Sequence, residues 1–162
     1  MPLDDFPKQL KGGVMSFLLL NIIMGWMVAI TGYTPPAQMP NVQFEPHSFF
    51  VEKVCGGKEC AAKGWYNDAG TIYLDETYQT VLSEDSYPAK PDRQHAMAAS
   101  MLGHESVHYL QDLSGKFTEK TCTNFLIREE QAFFAQRVGM RPYLNFFVPW
   151  ENSGPAYRCK DR

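Results

Sequence analysis

The stretch from Asp92 to Leu113 constrains the fold more than any other, because it reads as one long helix. Pro88 and Pro91 punctuate its approach, Asp92 is a good N-cap, and Ser114-Gly115 stops it. Ala96, Met97, Ala98, Met101, Leu102, Val107 and Leu110 give it apolar sides, so it is made to be packed. In its last turns lies His104-Glu105-Ser106-Val107-His108. Side chains four apart stack on one helical face, so the two imidazoles can grip one ion while Glu105 projects beside them. The competing reading is a helix whose histidines cap a core or face solvent.

The pattern His104-Glu105-x-x-His108 is the zinc-binding helix signature HExxH. A catalytic zinc takes three protein ligands and keeps one position open for water. The metzincin pattern would need Gly at 111 and His at 114, where this chain has Gln111 and Ser114, so that class is excluded. Asp112 lies two turns beyond His104 on the same helix, too far along the axis to complete the site. The remaining candidates are Glu129 and Glu130, in a second helical run from Phe125 to Gln136. Phe125, Glu129, Ala132, Phe133 and Gln136 form one face that suits packing on the motif helix, whereas Glu130 shares a side with Arg137.

Over residues 92 to 138, and more loosely 41 to 75, the chain resembles the gluzincins, HExxH peptidases whose third zinc ligand is a Glu on a following helix. Several carry it as Glu-x-x-Ala, which Glu129-Glu130-Gln131-Ala132 matches. The resemblance implies zinc held by His104, His108 and Glu129, with Glu130 as second choice, and Glu105 as general base for peptide-bond hydrolysis. It also implies an α+β, helix-rich minimal zincin fold: two central helices carrying the site, a small antiparallel or mixed sheet over them, and an N-terminal helix outside. By the same likeness, Thr71 to Asp75 would be the edge strand that pairs with an extended peptide substrate. Two positions depart from the pattern. Ser106 replaces a bulkier apolar residue, and Phe133 stands where relatives carry an Asp that orients a zinc ligand. Tyr143 and Tyr157 are candidates for stabilising the oxyanion; His47 and His95 have no assigned role. Two other functions use the same residues: a catalytically silent zincin-like binding or assembly subunit, and zinc hydrolysis of a non-peptide amide.

At 162 residues with 44% hydrophobic content, the chain can bury a real core as one domain spanning 35 to 162, with residues 1 to 34 as an appended hydrophobic helix. A net charge of −3 with scattered lysines and arginines excludes nucleic acid as a partner. The cysteines allow three pairings. Cys55-Gly-Gly-Lys-Glu-Cys60 suits a local disulfide, and Cys122–Cys159 would pin the tail to the core; four reduced thiols or a second zinc are the alternatives. Two disulfides favour an oxidising compartment, so the chain is expected to be exported or membrane-associated, with the cytoplasm as the alternative.

Residues 14 to 31 carry no charge and follow Lys8 and Lys11, which suits either a membrane or partner-binding helix or a core helix. Leu19, Ile22, Ile23, Trp26, Met27 and Ile30 make a stripe, leaving Leu18, Leu20, Met24 and Val28 on the far side. Asn41 to Glu45 reads as a short strand, and Ala61 to Tyr66 with Thr71 to Asp75 as a hairpin around Asn67-Asp68-Ala69-Gly70. The aromatic tail after Arg137 is expected to cover the backs of the helices or to wall the cleft.

Overall fold

The computed structural model describes residues 14–84, 88–89, 91–140 and Cys159. The expectations placed on Lys8, Lys11, Tyr143, Tyr157 and the aromatic tail fall outside these residues. Among the described residues the fold is α+β, with five α-helices and one small mixed sheet.

Helix α1 (Phe17–Thr31) begins where the Ser16 hydroxyl accepts the Leu19 N–H, and ends on Gly32 in the left-handed conformation. Strand β1 (Asn41–Glu45) leads into α2 (His47–Lys53); β2 (Gly64–Tyr66) and β3 (Thr71–Asp75) follow as a hairpin. A 3-10 turn (Glu76–Tyr78) and the short α3 (Gln79–Leu82) lead to α4 (Arg93–Ser114), and α5 (Cys122–Met140) returns along it. Helix α4 is capped as its sequence requires: the Asp92 carboxylate accepts the His95 N–H, and Gly115 closes the other end at φ 69°.

The sheet order is β1-β3-β2, with β1 parallel and β2 antiparallel to β3. The hairpin turn is held by the Asn67 side chain, whose oxygen accepts the N–H groups of Ala69 and Thr71. Thr71 to Asp75 is therefore the central strand, which corrects its reading as the cleft edge. The edge toward α4 is β2. The reason is the parallel β1–β3 pair, a contact distant in sequence that local alternation does not encode.

Helix α1 packs on both α4 and α5 and contributes to the core, and its buried stripe is Leu19, Leu20, Ile23, Met24 and Met27. Leu20 and Met24, expected on the far side, are buried, while Ile22 is 37% exposed. The stripe is rotated because α1 sits in the groove between two helices, which buries a wider sector than one neighbour would. Gly103 on α4 lets Met27 approach, since an added Cβ would meet its sulfur at 3.3 Å. Gly139 on α5 does the same more tightly, at 2.6 Å from the Met27 methyl. No helix among the described residues is long and apolar enough to cross a membrane.

On the inner sheet face Ile72 and Leu74 are fully buried, while Phe49 of α2 packs with Trp65 and Tyr73 on the outer face. The disulfides are Cys55–Cys60 and Cys122–Cys159, as their sequence positions favoured. Such bonds form and persist in oxidising surroundings.

Candidate metal centre

Three elements converge at the middle of α4. The helix presents His104, Glu105 and His108, all buried, toward α5 and β2. Helix α5 brings Glu129 to them: its two carboxylate oxygens lie 3.2 Å from His104 Nε2 and 2.9 Å from His108 Nε2. The two Nε2 atoms are themselves 3.2 Å apart. One ligand atom from each residue lies within 4.8 Å of the other two, a grouping that can hold a metal ion. Of the two glutamates left open by sequence, Glu129 joins the histidines and Glu130 is exposed.

The hydrogen bonds around the rings decide where their protons sit. His104 Nδ1 is 3.0 Å from the Gln136 side-chain oxygen, and His108 Nδ1 is 2.9 Å from that of Gln111. The Gln111 amide cannot be turned the other way round. Its nitrogen donates to the Arg128 carbonyl at 3.0 Å and to Gln131 at 3.1 Å, and its oxygen also accepts Arg128 Nε–H at 3.3 Å. With an oxygen facing each Nδ1, both rings donate from that side and turn Nε2 lone pairs inward. Two lone pairs and a carboxylate then face one another with no donor of their own, an arrangement that a cation relieves. This donor set of two imidazoles and one carboxylate suits a divalent transition-metal ion.

The charges follow the same geometry. Burial by itself would raise the Glu129 carboxyl, but in the metal-free site a proton taken up on either Nε2 is donated to it. These hydrogen bonds from His104 and His108 outweigh burial and hold it well below the usual carboxylate range. Glu105 goes the other way: burial, reinforced by the nearby Glu129 charge, pushes it up to about 7 against the pull of His104. The Tyr66 backbone N–H donates to its carboxylate. That contact requires β2 to lie close on α4, and Gly64 permits it. A Cβ there would stand 2.7 Å from the Met101 sulfur and 3.0 Å from a Glu105 oxygen.

These groups line a cleft of about 640 Å³, walled by β2 on one side and by Phe125, Arg128, Phe133 and Gln136 of α5 on the other. Phe133, at the position where an orienting Asp was expected, packs its ring edge against His104 with centroids 4.5 Å apart. Gln136, one turn further, supplies the acceptor instead. Sequence reasoning thus missed Gln111 and Gln136 as orienting groups. The signal was present: Gln111 follows His108 by one turn, and Gln136 follows Glu129 by two, so each shares a face with its partner.

Taken together, fold and site define a small α+β protein with a buried two-histidine, one-glutamate cluster opening on a cleft, and a raised carboxyl beside it. No protein-family model matches the chain, and neither the curated proteins nor the solved structures contain a match to it.

Proposed function

We propose that the protein is a zinc metallopeptidase of gluzincin type that acts outside the reducing cytoplasm. The observation that carries this reading is the meeting of His104, His108 and Glu129 at one point, with Glu105 buried beside them in an open cleft. A purely structural zinc site is closed by a fourth protein ligand and has no use for a non-ligating carboxyl buried beside it.

When bound, zinc would supply a Lewis acid that polarises the scissile carbonyl and acidifies water. The chain's own groups supply the rest. Glu105 accepts a proton from the attacking water and delivers it to the leaving amine, a task its buried position beside His104, His108 and Glu129 suits. Tyr66 N–H fixes the direction in which that carboxylate points. Gln111 and Gln136 hold the rings so that neither rotates during turnover.

The substrate would lie along β2. Lys63 and Asn67 bond backbone to backbone with β3, so by alternation Gly64 turns its N–H and C=O away from the sheet, at the cleft. An extended peptide can add there as a further strand. The test is zinc content of wild type and Glu105→Gln, paired with cleavage of a mixed peptide library. One zinc per chain in both, with cleavage only by wild type, is the expected result. Zinc in both without cleavage by either would transfer the function to the silent binding or assembly subunit.

A further inference from the structure

Arg128, the residue before Glu129, lines the cleft with a side chain only 14% exposed. Its guanidinium is held on one edge. Nε donates to the Gln111 oxygen at 3.3 Å, and Nη2 donates to Asp68 Oδ1 at 2.8 Å. The other edge, formed by Nη1 and the second proton of Nη2, has no partner among the described residues. A guanidinium carries five N–H donors and does not give up its charge, so a largely buried one with an idle edge is costly unless an acceptor arrives.

The surroundings favour an acceptor of negative charge. Asp68 is shared between Arg128 and Lys120, whose ammonium lies 3.0 Å from its second oxygen. The nearby Asp112 carboxylate is taken by the Tyr66 hydroxyl. Lys53 and Lys63 also line the cleft, and its remaining carboxylates, Glu105 and Glu129, belong to the metal centre. The positive end is rigid as well. Asp68 sits in the tight β2–β3 turn with φ 56°, and that turn is fixed by the Asn67 side chain.

Building on the peptidase reading, we infer that Arg128 recognises a carboxylate of the substrate through this idle edge, so that the cleft selects peptides by a negative charge. The planar pair of donors matches the two oxygens of a carboxylate, which either a chain terminus or an Asp or Glu side chain provides.

The experiment uses zinc-loaded, full-length Glu105→Gln protein, in which binding is read without turnover. Fluorescein-labelled hexapeptide mixtures are compared by anisotropy in matched pairs: free carboxyl terminus against terminal amide, and Asp or Glu against Asn or Gln at internal positions. Carboxylate-bearing members of at least one pair should bind about tenfold tighter or more. The pair that discriminates identifies the source of the charge. Adding Arg128→Gln should bring that pair to near parity while zinc content stays at one per chain, and Arg128→Lys should keep part of the preference. In wild type, Arg128→Gln should raise KM for the preferred peptides more than it lowers kcat.

Equal binding within every pair overturns the inference without recourse to any Arg128 variant. A preference that survives in zinc-loaded Arg128→Gln also overturns it, since the charge is then read elsewhere. Discrimination without cleavage by wild type sinks the peptidase reading and leaves the Arg128 assignment standing. Cleavage without discrimination does the reverse, and failure to bind any peptide removes both.

Discussion

The two sides of α4 obey different rules. Toward α1 it meets Leu19, Ile23, Met24 and Met27 through apolar contact, where each side chain touches several others and no single atom pair is decisive. Toward α5 and β2 it presents His104, Glu105, His108 and Gln111, each fixed by directed bonds. On the first side an altered residue should cost stability in proportion to the volume lost; on the second it should cost geometry while the fold survives. One helix thus carries a tolerant face and an exacting one.

The sharpest way to break this division is Ile23→Ala. The residue is fully buried between α1 and α4, and a cavity there should cost about 2–5 kcal/mol in urea unfolding. Zinc bound per folded chain should stay unchanged; a loss of metal as well would show that the two faces are coupled.

The exacting face has a pH signature in the metal-free protein. The folded chain holds the Glu105 proton up to about 7, whereas the unfolded chain releases it near 4.5. Between these values the folded state binds more protons, so this group's contribution is full below the lower value and is lost as pH rises through the upper one. Glu129, held low, acts in the opposite sense and withdraws stability only as pH falls below the ordinary carboxyl value. Glu105→Gln should therefore leave unfolding free energy nearly unchanged at acid pH and raise it by about 3 kcal/mol above neutrality. Equal effects at both pH values would refute the burial of a titrating carboxyl.

Next in size is Gln136→Leu, which removes the acceptor from His104 and should weaken zinc 10–100-fold, roughly, in competition with a chelator. Gln136→Glu keeps an acceptor and should restore most of that affinity. The smallest effect belongs to Ser106, whose buried hydroxyl has no hydrogen-bond partner among the described residues. Ser106→Ala should stabilise by about 1 kcal/mol in urea unfolding, with zinc content unaltered.

Much of the site was legible because its signals are local. Asp92, Gly115 and the four-residue spacing of His104 and His108 define α4 from within, and Phe125 to Gln136 defines the face that carries Glu129. The disulfides followed from a short glycine-rich loop and a tail cysteine. What stayed hidden depends on which distant segments meet. Strand β3 became central only because β1 pairs with it in parallel, and the α1 stripe rotated because two helices rather than one receive it. The closeness of Gly64 to α4 and the pairing of Arg128 with Asp68 in the β2–β3 turn likewise exist only once distant segments meet.

The paired glutamines also set a timescale. Because Gln111 and Gln136 already turn both imidazoles inward, an arriving cation meets donors that need no rotation. Uptake is then governed by diffusion into the cleft and by how fast the ion sheds its water shell. Release would retrace that path, so it needs the same ligands to let go into the open cleft rather than any parting of α4 from α5. The residence time of an ion would then report how well His104, His108 and Glu129 hold it, not how often the fold opens.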